Sequence, residues 1–324
     1  MNTSDAMQTC VVGDIGGTNA RFARLAADGS LEQIVTLHGV DYPGPAEALR
    51  AYLAQTTGAA PRYAAIGIAN PLTGDRVQMT NHTWNFSIEE MRKQIGLERL
   101  EFLNDFTALA LSLPHLGDAD RAQIGRGTAV PRTAIGVIGP GTGLGVSGMV
   151  PAENGYAFIE GEGGHVTISG QTDEELAVIS ALARVFPHVS AERAISGPGL
   201  ENLYRALAQV RGISPKDYEA ASITTHATQA TDALCVATAN MFCALLGTQA
   251  ANLAVTLGAR GGIYIGGGIV PRLGEFFMRS PFRQRFEDKG RFSAYLSSIP
   301  TWIITAPYPA LIGAAAFLRN LQRS

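Results

Sequence analysis

Six short stretches of this 324-residue chain combine residue types that do chemistry together. The first is Gly13, Asp14, Ile15, Gly16, Gly17, Thr18 and Asn19, with Arg21 just beyond. Glycines let backbone N–H groups come close to a ligand, and successive N–H groups in a turn make an anion-binding concavity. A carboxylate at Asp14 would repel a phosphate held there unless a Mg²⁺ ion lay between them. The stretch therefore points to a Mg-nucleotide phosphate site. A second glycine turn, Gly141-Thr142-Gly143, and a third, Gly266-Gly267-Gly268, come later in the chain. The remaining stretches carry side-chain chemistry: Asn104 with Asp105, Glu162 with His165, and Glu192. Beside a nucleotide clamp, phosphoryl transfer needs an acceptor hydroxyl held in line and a base near it. Glu162 and His165 could make half a metal site, but no further ligands are spaced to complete it, and the plain alternative is a loop with one satisfied histidine.

The surrounding pattern says which elements must hold these residues. Val11 and Val12 form a buried strand, and a return strand starts near Ala20, so the first glycine turn closes a β-hairpin. A strand over 31–37, a helix over 45–55, a strand over 63–69 and a loop over 79–84 follow. A helix over 87–94 opens on a capping box, Ser87 with Glu90, and stops at Gly96. Leu100 to Leu103 read as a buried strand. Phe106, Leu109, Ala110 and Leu113 recur at helical spacing until Pro114. Asn104 and Asp105 thus fall at a strand-to-helix junction, where ligands collect in open α/β sheets. The same pair also suits a plainer role, an N-cap and a complement to the helix dipole. Residues 134–150 repeat the opening device of strand, glycine turn and strand, and 262–270 give a third version. A device recurring after about 120 residues implies two related halves that face one another. Helices are expected over 173–185, 200–210, 231–257 and 307–320. Glu192 falls in a first helical turn after Ser190, where it would also complement a dipole.

Composition narrows the function. The length favours two domains. A net charge of −3 gives no basic field, so nucleic acid is not an expected partner. Cys10, Cys235 and Cys243 are odd in number and lack C-x-x-C spacing, as expected of reduced thiols in a cytoplasmic protein. Residues 1–8 have neither a basic nor an apolar run, so no signal peptide is read there. The uncharged stretch 233–259 is broken by Thr238, Asn240, Thr248, Gln249 and Asn252. It reads as a buried core helix, not a membrane span. There is no G-x-x-x-x-G-K-[ST], and Lys93, Lys216 and Lys289 are the only lysines. None adjoins the three glycine turns, which excludes P-loop NTPases and protein kinases. The turns are read as running into strands, so a Rossmann pyrophosphate would lack its helix N-terminus.

Taken in order, the chain resembles the bacterial glucokinase family of the actin-like ATPase superfamily. The likeness rests on Gly13–Arg21 (GDIGGTNAR), Thr80–Trp84 (TNHTW), Leu103–Ala108 (LNDFTA), Gly141–Gly145 (GTGLG) and Gly161–Val166 (GEGGHV). It continues through Ser190–Arg193 (SAER), Ser196–Gly199 (SGPG), Gly266–Arg272 (GGGIVPR) and Phe286–Phe292 (FEDKGRF). The resemblance implies a two-lobed α/β, ribonuclease H-like fold with an interlobe cleft. The small lobe would hold residues 1–115 with 306–324, and the large lobe 116–305. It implies phosphorylation of glucose at the 6-hydroxyl by ATP, with Mg²⁺, in a cytoplasmic homodimer. Asp105 matches the family's base. Asn104, Glu162, His165 and Glu192 match its sugar ligands, and Asp14 the acid that organises Mg²⁺. Gly13 to Thr18 and Gly141 to Gly143 match its phosphate loops, with Asn19 and Arg21 beside the first. Gly266 to Gly268 match the loop near adenosine. Thr167 departs from the pattern, standing where many relatives have an acid. A kinase for another hexose or amino sugar, a sugar-sensing regulator and an actin-like filament ATPase are the alternative readings.

Overall fold

The computed structural model describes residues 9–80, 82–153 and 155–321. The segment 1–8 and Asn81 of the TNHTW motif lie outside the described residues. The chain divides into two compact units, Met1–Gly117 with Ala306–Ser324, and Asp118–Thr305.

The first unit is built on β1 (Cys10–Ile15), which pairs antiparallel with β2 (Asn19–Leu25). Strand β3 (Leu31–His38) extends that meander, while β4 (Tyr63–Ile68) and β7 (Arg99–Asn104) add in parallel. The order is β3-β2-β1-β4-β7. Parallel strands need cover on both faces, and β1 shows how the sequence provides it. Val11 and Ile15 point into a cluster with Leu49, Tyr52, Ile66 and Trp84. Cys10 and Val12, one residue out of phase, point into another with Leu311, Ala314, Ala315 and Leu318. The latter four belong to the helix Pro309–Leu321, so the end of the chain completes the core begun by its start. A short ribbon, β5 (Arg76–Gln78) with β6 (Asn85–Ser87), flanks the expected loop over 79–84. The helix Ile88–Ile95 opens where the Glu90 N–H donates to Ser87 Oγ at 3.0 Å, and closes on left-handed Gly96.

The second unit holds β8 (Arg121–Ile124), β9 (Ile135–Pro140), β10 (Leu144–Ala152), β11 (Gly155–Ile159), β12 (Ile263–Ile265) and β13 (Thr301–Ile304). Its order is β11-β10-β9-β12-β13-β8. An antiparallel meander again passes into parallel strands, with β8 added at the edge. The repeated glycine device therefore marks a repeated strand topology. The helix Ala233–Leu257 runs through this unit's core from an Asp232 cap to left-handed Gly258. It is long and apolar enough to cross a membrane, yet 78% of its most apolar window is buried inside the unit. Cys10, Cys235 and Cys243 are all buried and none is in a disulfide. Two local expectations need correction. The helix expected from residue 200 starts at Gly197, because Ser196 caps it and Pro198 fits the first turn. The third glycine turn feeds the short helix Ile269–Leu273, not a returning strand.

Candidate active site

In the first unit, strand register brings two of the candidates together. Asp14 on β1 is level with Gly67 on β4, which is level with Leu103 on β7. The next row is Ile15, Ile68 and Asn104. The carboxyl ends of three parallel strands thus bring Asp14 and the Asn104–Asp105 junction to one edge of one sheet. They are two strand spacings apart, about 10 Å. Gly67 leaves room for this junction: an added Cβ would stand 3.2 Å from the Ala108 side chain and 3.8 Å from Asp105 Cα. Asn104 does cap the helix Asp105–Ser112, accepting the N–H groups of Phe106 at 2.9 Å and Thr107 at 3.2 Å through Oδ1. The capping uses the oxygen and leaves the amide's donor end to another purpose. Asp105 opens the helix, and its Oδ1 accepts the Phe106 N–H at 2.9 Å.

In the first hairpin turn the Gly16 N–H donates to the Asn19 carbonyl at 2.9 Å, and Gly39 donates to the Thr18 carbonyl. Arg21 is the direct cross-strand partner of Asp14, with Nη1 3.2 Å from Oδ2. Burial pushes the Asp14 carboxyl above the usual carboxylate range, and the Arg21 guanidinium only partly offsets it. Arg21, expected beside phosphate, is thus engaged with Asp14. That pairing was legible, because closing Ile15 against Ala20 sets Asp14 opposite Arg21.

In the second unit, the Gly141 N–H donates to the Gly143 carbonyl at 2.8 Å, closing the turn between β9 and β10. The third turn lies against it: Gly266 donates to the Ile138 carbonyl at 2.9 Å. Gly267, at φ +79°, sits where any Cβ would overlap the Pro140 carbonyl. The side-chain candidates gather around the first residues of β10. Glu192, in a 3₁₀ turn over Ala191–Arg193, accepts the Leu144 N–H through Oε2 at 2.9 Å. Glu162 forms an isolated β-bridge with Val146, and Gly163 and Gly164 let that backbone lie flat on Val146 and Leu144. His165 Nε2 stands 4.0 Å from Glu162 Oε2, and both side chains are exposed. Thr167 Oγ1 is 3.0 Å from His188 Nε2, so the departing residue has a polar partner of its own. The bond between Glu192 and Leu144 spans 48 residues, and nothing in the sequence announces it.

Residues 11–321 match the family described as Glucokinase. The chain belongs to the glucokinase family. The glucokinase of Aromatoleum aromaticum is 55% identical over 96% of this chain and 94% of its own length. The bifunctional protein glk of Burkholderia pseudomallei is 52% identical over 95% of this chain, which spans only 48% of that longer protein. Among solved structures, a glucokinase from an Antarctic psychrotroph superposes with a TM-score of 0.87 at 38% identity, covering 96% of this chain and 98% of its own. The fold is accordingly that of the actin-like ATPases, and the family's activity is phosphoryl transfer from ATP to glucose. The site suits Mg²⁺. Among the described residues no three His, Cys, Asp or Glu side chains converge as a metal cage. Asp14 instead offers one hard carboxylate, not fully compensated by Arg21, beside a turn of N–H groups. Magnesium is commonly held in this way, by one or two carboxylates together with water and substrate phosphates.

Proposed function

We propose that this chain phosphorylates glucose on its 6-hydroxyl, with Asp105 as the general base. The observation that carries this reading is the register that sets Asp105 at the end of β7, on the sheet edge that also holds Asp14. Asp105 accepts the proton of the 6-hydroxyl as that oxygen bonds to the γ-phosphorus and the bond to the ADP oxygen breaks. Asn104, its oxygen spent on the helix cap, donates its amide N–H to the sugar. Glu162, His165 and Glu192 read the ring hydroxyls. A site built on such hydrogen bonds rejects an analogue lacking a hydroxyl by roughly 10⁴-fold or more. The turns over Gly13 to Thr18 and over Gly141 to Gly143 receive the phosphates, through N–H groups other than those of Gly16 and Gly141, which are committed to the Asn19 and Gly143 carbonyls, with the Thr18 and Thr142 hydroxyls beside them. Asn19 shapes the first turn, and Gly266 to Gly268 lie beside adenosine. Mg²⁺, when bound near Asp14, neutralises charge on the β- and γ-phosphates. Arg21 keeps the Asp14 carboxylate turned toward that place. A homodimer and a cytoplasmic setting belong to the same reading and rest on family membership; sedimentation velocity tests the first.

The decisive test is Asp105→Asn. Glucose binding by calorimetry should persist, while kcat in a coupled glucose 6-phosphate assay falls about 10²–10⁴-fold. A near-normal kcat would remove Asp105 from the role of base.

A further inference from the structure

The Gly141–Gly143 turn has few fixed points of its own. Its one internal bond joins Gly141 to Gly143, and nothing stands within 4 Å of where a Gly141 Cβ would be. Its outer supports come from the segment that carries Glu192. Gly197 donates its N–H to the Gly141 carbonyl at 2.8 Å, and Glu192 Oε2 takes the N–H of Leu144, the residue that closes the turn. Glu192 is itself pinned, because its carbonyl accepts the Ser196 hydroxyl at 2.8 Å, and Ser196 caps the following helix. The fit is close: a Cβ on Gly143 would stand 2.5 Å from the same Oε2. One carboxylate oxygen is thus committed to the turn, and the other is left for a ligand.

We infer that Glu192 is also a positioning residue for the second glycine turn, so that the side chain reading the sugar also sets the N–H groups that take the nucleotide's phosphates. This rests on the reading of Gly141–Gly143 as a phosphate turn. Two ligands that meet at one carboxylate are energetically coupled, and the coupling is reciprocal.

The test leaves the sugar out. AMPPNP with Mg²⁺ is titrated calorimetrically into the wild type, Glu192→Ala and Glu192→Gln. A bond from an amide to a charged acceptor is strong enough that Glu192→Ala should weaken nucleotide binding about tenfold or more. Glu192→Gln keeps an oxygen for the Leu144 N–H and should stay within about threefold of wild type. If Glu192 serves the sugar alone, all three proteins bind nucleotide equally, and the inference fails. Equal losses in both variants also overturn it, because no rescue by the amide oxygen occurs. A wild type that does not bind AMPPNP overturns the phosphate-turn reading and this inference with it. Gly143→Ala probes the reverse direction with Glu192 intact. Its Cβ displaces Oε2, so glucose affinity measured without nucleotide should fall about tenfold. Unchanged glucose affinity in that variant counts against the coupling.

Discussion

Asp14 in the first unit and Glu175 in the second are both acids largely withdrawn from water, and their surroundings are opposite. Burial acts to raise the Glu175 carboxyl, but Arg285 overrides it with bonds of 2.9 and 2.8 Å, helped by the Gln171 N–H at 2.7 Å. The net effect holds Glu175 below the usual carboxylate range. Among the described residues Asp14 has the side chain of Arg21 alone, at 3.2 Å, and burial wins. Glu175 sits at a helix start, Thr172 capping, with its lone pairs taken up by the protein. An acid whose task is structural is saturated with donors. Asp14, short of donors, fits the ligand-facing role proposed for it, since a cation would supply what is missing.

Substitutions at the two acids should separate these roles. The largest effect should come from Glu175→Ala, which strips the largely buried Arg285 guanidinium of its carboxylate. Urea denaturation should show a loss of about 3–5 kcal/mol, with activity per folded molecule little changed. A loss below about 1 kcal/mol would make the pair incidental. Asp14→Asn should do the reverse, lowering kcat/KM for MgATP by roughly 10–100-fold. Its melting temperature at pH 7, measured without ligand, should be no lower than wild type and should rise if anything. Linkage gives the sign: a carboxyl whose folded pKa is raised contributes stability below its unfolded pKa and loses it as pH rises. The smallest effect is on the pH profile of melting. The Glu175 contribution is present above its unfolded pKa and lost as pH falls through its lowered folded value. Wild type should therefore lose stability below about pH 4, and Glu175→Gln should flatten that decline. A decline of the same steepness in the variant would assign it to other acids.

Local chemistry made much of this legible. The hairpin at Gly13–Arg21, the junction at Asn104–Asp105 and the strand-turn-strand at 134–150 each arise from glycines or polar residues placed between apolar runs of the right period. The plainer reading of Asn104 as a cap holds, and it leaves the amide nitrogen for the ligand role proposed for it. Gly266–Gly268 misled because a glycine turn can lead equally into a strand or a helix; Pro271 inside GGGIVPR suits a helical first turn better than a strand. What stayed hidden was long-range. Arg285 meets Glu175 across 110 residues, and Glu192 meets Leu144 across 48. Such pairs depend on how helices and turns pack, which no local pattern encodes.

The helix Pro309–Leu321 carries a last consequence. It supplies Leu311, Ala314, Ala315 and Leu318 to the core around Cys10 and Val12, and its Gly313 is pressed against the Ala108 carbonyl. During synthesis the opening strands must therefore wait, with one face bare, until the ribosome has made everything in between. Asp118–Thr305, later in the message, has all its own parts first and can finish first. A nascent chain stalled before residue 309 would expose that bare face to chaperones and proteases, so translational arrest before that point should be as damaging as a core mutation.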